Sequence, residues 1–464
     1  MFFAHFTVEK TFLLFYLFFG ALYLFVLPMT AVPDEVAHWL RIFEISEGHL
    51  LSDKDENSLG GRTMPEGLAL SLNPAAAKYD DMFKNYSLTI SKDARQWYNF
   101  SNTALYMPIT YIFQIPGVLI GKILTTRTIL VMYAGRICAF LLSLLFLFWA
   151  LKYIPCCKPL LFTIALMPMF IHQAVSLSAD AMLNTISLCS MAFILWSCSA
   201  QNELFKKKHI LLICAFSLCL ALSKIIYLPL VLLFCLISAS KLRNKLFHKI
   251  FLAALLFVSF AASVLWFLYI TKNYRYAWLV HADSAKQITN ILLHPINYIL
   301  LVIKTYFYGL EGFIATCIGS DLGWLNIHIG YKALVLYAMC LAAAFFCNDD
   351  LSIIDKRKNK RIHTVIYGLI SAAIIILIAT SEYVTWNAPY AKSIAGIQGR
   401  YFIPIVFPLA LFVILLAKNI PVTFKIKYRG KPLSLKKENI FRLSLPVLSF
   451  VHLLVIKQIL LFCK

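Results

Sequence analysis

The feature that constrains this chain most is a series of apolar runs, each near the length that crosses a lipid bilayer. They lie at 11–29, 107–125, 128–152, 159–176, 181–199, 209–223, 225–240, 250–271, 331–347, 364–380, 401–417 and 441–461. Inside hydrocarbon a backbone must satisfy its own hydrogen bonds, so repeated runs of about 20 apolar residues mean helices packed together. Composition agrees: 61% of the residues are hydrophobic and 14% charged, against roughly a quarter charged in a soluble domain. The expected fold is all-α, a polytopic transmembrane helical bundle. The net charge of +21 does not argue for nucleic acid, because the bases stand in short clusters between runs and form no continuous basic face. The first run is too long and too aromatic for a cleaved signal peptide. Most of the cysteines lie inside apolar runs and no C-x-x-C pair exists, so neither a disulfide framework nor a structural zinc is indicated.

Loop charge orients the bundle. Lys and Arg favour cytoplasmic loops, and the basic clusters are 206–208, 241–245, 356–361 and 418–437. With the N-terminus inside, all of them fall inside only if 107–125 does not cross. That run carries Pro108, Pro116, Gly117 and Gly121 and reads as an interfacial or re-entrant helix. The expectation is then about 11 spans. The chain divides into an N-terminal segment with the first span (1–29), an outer loop (30–127), a transmembrane core (128–271), a second outer loop (272–330) and C-terminal spans (331–464) with an outer loop at 381–400. Segment 290–312 reads as a second interfacial helix. The long polar part of the first loop, 30–106, holds Asp34, Glu35, Glu44, Glu47, Asp53, Asp55, Glu56, Glu66, Asp80, Asp81 and Asp93, half of all the acidic residues.

That topology gathers the unusual polar residues on the outer side. Ala31-Val32-Pro33-Asp34-Glu35-Val36-Ala37-His38-Trp39-Leu40-Arg41 follows the first span directly. Pro33 suits the first turn of a helix, and Asp34 and Glu35 would lie at its positive end, which favours negative charge. At helical spacing Asp34, His38 and Arg41 share a face, with Glu35 one position round. Asp180, Lys224 and the run Gln398-Gly399-Arg400-Tyr401 stand at outer span ends. Ionisable groups at membrane depth are expensive and rarely idle. Arg136, inside an apolar run, needs a partner. Asp53-Lys54-Asp55 has the spacing of a metal–nucleotide site but sits among other loop charges and reads as solvated.

Pro33-Asp34-Glu35 with His38 and Arg41, Asn102-Thr103-Ala104-Leu105-Tyr106-Met107-Pro108, Pro168-Met169 with Ser176, Ser178 and Asp180, Ser223-Lys224 with Tyr227-Leu228-Pro229, and Ile397-Gln398-Gly399-Arg400-Tyr401-Phe402-Ile403-Pro404 resemble a bacterial family of predicted membrane proteins, domain of unknown function 2142. That family is in turn similar to GT-C glycosyltransferases, integral membrane enzymes that take sugars from polyprenyl-phosphate donors. The resemblance implies a GT-C-like bundle in the bacterial cytoplasmic (inner) membrane, acting on its outer face on an envelope glycan or lipid acceptor. It implies Asp34 as the catalytic carboxylate, with Glu35 positioning the acceptor or substituting for it. His38, Arg41, Asp180, Lys224, Gln398, Arg400 and Tyr401 become substrate-binding candidates. Arg400 suits a planar phosphate clamp, and Lys224 adds a second positive charge. A phosphate leaving group stabilised by such cations does not oblige a metal, so no cofactor is expected. Two other readings stay open: a transporter or flippase, and a polysaccharide polymerase or ligase that uses the same lipid-linked donors.

Overall fold

In a computed structural model the chain is described over residues 7–70, 78–199, 204–242, 244–274, 282–347, 357–417, 425–428, 431–434 and 437–464. The protein is an all-α polytopic membrane protein. Among the described residues, helices Val8–Val26, Thr128–Tyr153, Asp180–Ser199, Lys245–Asn273, Pro295–Ile318, Lys360–Thr385, Gly399–Ala417 and Asn439–Cys463 are long and apolar enough to cross a membrane. Their starts follow capping rules: Thr7 accepts from Lys10 N and Asn244 from Phe247 N, each satisfying an orphan donor of the first turn.

The bundle is built around Asp180–Ser199, of which 83% of the apolar window is buried by protein. Small polar residues let neighbours approach closely and bond across helices, as packing in lipid favours. Tyr16 Oη, Ser143 Oγ and Thr185 Oγ1 form a chain of hydrogen bonds, 3.0 and 2.6 Å long, from the first helix through Thr128–Tyr153 to this central one. Outward faces are apolar and exposed, as at Phe18, Phe25, Leu145 and Phe257; that is the pattern of lipid-facing surface.

Several expected spans take other forms. Run 159–176 is broken into Lys158–Ala165 and Pro168–Ala174, because Pro168 disfavours helical geometry at Met167. Run 225–240 is a 3₁₀ helix, Ile225–Leu236, with Pro229 inside it. Tyr331–Phe346 has 16 residues, short for a straight crossing. Among the described residues eight helices are long enough to cross by length and composition alone, and other expected spans take the shorter forms above. Segment 290–312, expected to be interfacial, belongs to Pro295–Ile318, which has the length and hydropathy of a span. Part of the basic connections, at Arg243, Lys356 and most of 418–437, lies outside the described residues, as does 275–281 of the second outer loop.

The polar stretch after the first span folds on a core of its own. Helix Glu35–Ser46 packs Trp39, Leu40, Ile42 and Phe43 against Met64, Leu68, Tyr98 and Phe100. The last four lie on or beside a three-stranded antiparallel sheet of Asp53–Lys54, Gly60–Pro65 and Arg95–Asn99, in register Gly61↔Asn99 through Pro65↔Arg95. Arg41 and Glu44, both fully buried, pair beneath this sheet, and Arg62 Nε reaches Glu44 Oε1 at 2.7 Å. Run 107–125 resolves into a 3₁₀ turn, Pro108–Tyr111, and a helix of 10 residues, Ile115–Leu124. Ile90 N donates to Thr126 O at 2.8 Å and Thr128 N to Leu88 O at 3.1 Å, so the C-terminal end of this run is tied to the loop.

Candidate functional site

The site begins where the first helix ends. Arg136 donates to Leu27 O at 2.9 Å and Pro28 O at 3.0 Å, two carbonyls freed by that helix end. It also grips Glu35, Nε to Oε1 at 2.7 Å and Nη2 to Oε2 at 2.5 Å. Glu35 further accepts from Thr30 N at 2.8 Å and Leu177 N at 3.1 Å. A buried ion pair is tolerated only when its other hydrogen-bonding capacity is satisfied, and here the chain supplies every partner. Turning Glu35 inward bends the backbone before it: Thr30 has φ 71° and Asp34 φ 62°. Asp34 therefore caps the helix from the left-handed region, and Pro33 lies outside the first turn. Its carboxylate makes no cap bond. Asn102 Nδ2 donates to its Oδ1 at 3.1 Å instead.

Released from capping, Asp34 lines a cavity of about 590 Å³ together with His38, Asn102, Tyr106, Lys224, Trp324, Glu382, Trp386, Gln398, Arg400 and Tyr401. Other walls are apolar: Leu222, Ile225, Ile226, Trp266, Phe267 and Ile270. Lys224 Nζ bonds Asp180 Oδ1 at 2.7 Å and stands 5.4 Å from the Tyr106 ring and 5.7 Å from the Tyr401 ring. The Arg400 guanidinium lies 5.5 Å from the Tyr401 ring, and among the described residues its buried Nε has no hydrogen-bond partner. Burial pushes the His38 imidazole down to about 4, with Lys224 and Arg400 also opposing its charge and Asp34 and Asp180 only partly favouring it. The ring is neutral at pH 7 and is bonded through Nδ1 to Tyr111 Oη at 2.8 Å.

The Gln398–Tyr401 turn reaches the cavity because Gly399 has no side chain: an added Cβ would sit 2.2 Å from Cys317 N. Gly399 N donates to Thr316 Oγ1 at 3.2 Å instead. From the other side, Trp324 Nε1 donates to Thr30 O at 3.4 Å, which brings the Asp321–His328 hairpin against the Asp34 corner.

Residues 17–409 match the model of a family described as predicted membrane protein, domain of unknown function 2142. The chain belongs to this family. The matched region holds every cavity-lining residue, from Pro33 to Tyr401. No curated protein and no solved structure matches it.

In this family member the sequence candidates separate. Asp34, His38, Lys224, Gln398, Arg400 and Tyr401 share the cavity, and Asp180 enters it through Lys224. Glu35 and Arg41 do not. Glu35 is enclosed by Arg136 and backbone amides. Arg41 bonds Ser52 Oγ at 3.0 Å, Leu50 O at 2.7 Å and, from beneath the cavity wall, Tyr106 O at 3.3 Å. The shared helical face was drawn with Asp34 as a helical residue; its left-handed backbone leaves only His38 beside it. Asp53 and Asp55 stay local: Asp53 accepts from Arg62, and Asp55 holds the turn through Asn57 N and Leu59 N. Sequence reasoning missed Asn102, Trp324, Glu382 and Trp386 as site residues. Glu382 did carry a signal, a carboxylate just past the apolar run 364–380.

Proposed function

We propose that this protein is a membrane glycosyltransferase of GT-C type. It would transfer a sugar from a polyprenyl-phosphate donor to an envelope glycan or lipid on the outer face of the bacterial cytoplasmic membrane. The observation that carries this reading is one cavity in which an uncapped carboxylate, Asp34, meets two cations, Lys224 and Arg400, beside apolar walls. The pieces match the parts of such a donor: cations for the phosphate, apolar wall for the isoprenoid. In the reaction Asp34 takes the proton of the acceptor hydroxyl as its oxygen bonds the anomeric carbon. The bond from that carbon to the phosphate oxygen breaks, and its electron pair leaves on the phosphate. Arg400 and Lys224 stabilise the charge that develops there.

The backbone at residue 34 makes the test clean. Asn tolerates the left-handed region about as well as Asp, and the Asp34 side chain caps nothing, so Asp34→Asn should fold normally. In membranes of a deletion strain given purified protein and a labelled polyprenyl-phosphate sugar, Asp34→Asn should lose about two to four orders of magnitude in transfer, the usual worth of a positioned base. Near-normal turnover at matched folded protein would end this reading.

A further inference from the structure

Glu382 is the acidic cavity residue that the proposed chemistry leaves unused. It lies in the last turn of the Arg357–Thr385 helix, with Trp386 one turn further on, and both line the cavity. Among the described residues its carboxylate has no ion pair; Lys224 and Arg400 act on it only at longer range. A half-buried carboxylate without hydrogen-bond donors is costly unless a ligand supplies them.

The surrounding loop holds the backbone of Glu382 in position. Asn387 Nδ2 donates to Glu382 O at 2.9 Å and to Ala395 O at 3.1 Å, and Ala395 N donates back to Asn387 Oδ1 at 2.9 Å. That clasp presses Gly396, at φ 95°, onto the pair: an added Cβ would lie 2.6 Å from Glu382 Oε2 and 2.7 Å from Trp386 Cδ1. A glycine is required there on both counts, conformation and space. A fixed carboxylate beside an indole is suited to a sugar ring, whose hydroxyls donate to the carboxylate while its C–H face packs on the aromatic face.

We propose that Glu382 and Trp386 form the subsite for the transferred sugar, with Glu382 accepting hydrogen bonds from its ring hydroxyls. The assignment rests on the glycosyltransferase reading. It follows from connectivity: the sugar is bonded to the phosphate held by Lys224 and Arg400, and Glu382 and Trp386 line the same cavity as those cations. Glu382 is thus a specificity-determining residue, separate in role from Asp34.

Binding to the purified full chain in nanodiscs tests this without turnover. The probes are undecaprenyl phosphate alone and the same lipid carrying glucose, mannose or arabinose. Wild type should bind at least one sugar-bearing lipid more tightly than the bare lipid. Glu382→Ala and Glu382→Gln should lose that preference by on the order of tenfold, the worth of one or two hydrogen bonds, and keep wild-type affinity for the bare lipid. Trp386→Leu should lose part of the same preference, and Arg400→Ala should weaken all the lipids. Glu382 variants that retain the wild-type ratio, or that weaken bare and sugar-bearing lipid equally, overturn the subsite. If wild type binds none of these lipids, the glycosyltransferase reading falls first and the subsite with it.

Discussion

Arg136 lies eight residues into the Thr128–Tyr153 helix, where an unpaired charge would be expensive. Its guanidinium makes four hydrogen bonds, to two helix-end carbonyls and both oxygens of one carboxylate, so removing it strands Glu35 in a dry site. Arg136→Met should cost about 3–5 kcal/mol, the usual penalty for breaking a buried pair, and Glu35→Gln less, because the amide oxygen can still accept from Thr30 N or Leu177 N. Thermal unfolding of the variants in detergent checks the order; an unchanged Tm in Arg136→Met would show that the pair does not hold the corner. His38 makes a prediction of opposite chemistry. Its folded pKa of about 4 lies below the ordinary value of roughly 6.5, so the unfolded chain binds the extra proton between those values. Stability contributed by neutral His38 is therefore complete above about pH 6.5 and lost as pH falls toward 4. His38→Asn should flatten that part of the Tm–pH curve relative to wild type, and parallel curves would mean His38 is not buried neutral.

Among the elements, Pro295–Ile318 carries a conflict between composition and contacts. Its hydropathy suits a crossing. Yet Tyr298 Oη bonds Thr380 Oγ1 at 2.6 Å near one end, and Thr316 Oγ1 accepts from Gly399 N near the other. Thr380 and Gly399 each adjoin cavity-lining residues, Ser381 and Gln398 with Arg400. Both bonds thus tie the helix to segments that adjoin the cavity, and the arrangement predicts that its two ends lie on the same side of the membrane. Single cysteines at Lys286 and His328, both exposed, should label together with an impermeant reagent from the same side, above the labelling of the parent chain. Labelling from opposite sides would make this helix a crossing. The 3₁₀ run Ile225–Leu236 poses a related case. At about 2 Å per residue its 12 residues cover roughly 24 Å, more than an α-helix of that length, so a short segment nearly reaches across.

At the scale of the whole molecule, the apolar runs by themselves determined a helical membrane protein, because hydrocarbon admits only helices and closed barrels and unbroken apolar runs of about 20 residues fit helices. Sequence also showed that Asp34, Lys224 and Arg400 were out of place in such a chain, since charge near lipid carries a large desolvation cost wherever it stands. What it could not settle was which of two adjacent carboxylates faces the cavity. Helical periodicity set Asp34 and Glu35 about 100° apart on an assumed helix, but the left-handed turn at Asp34 came from the distant Arg136, 101 residues away from Glu35. Glu382 and Trp386 were hidden for the same reason. Their place in the site depends on a loop folded back through Asn387 and Gly396, and on cations from two other segments. Local pattern reports the solvent a segment prefers; only long-range packing decides which charges meet across the cavity.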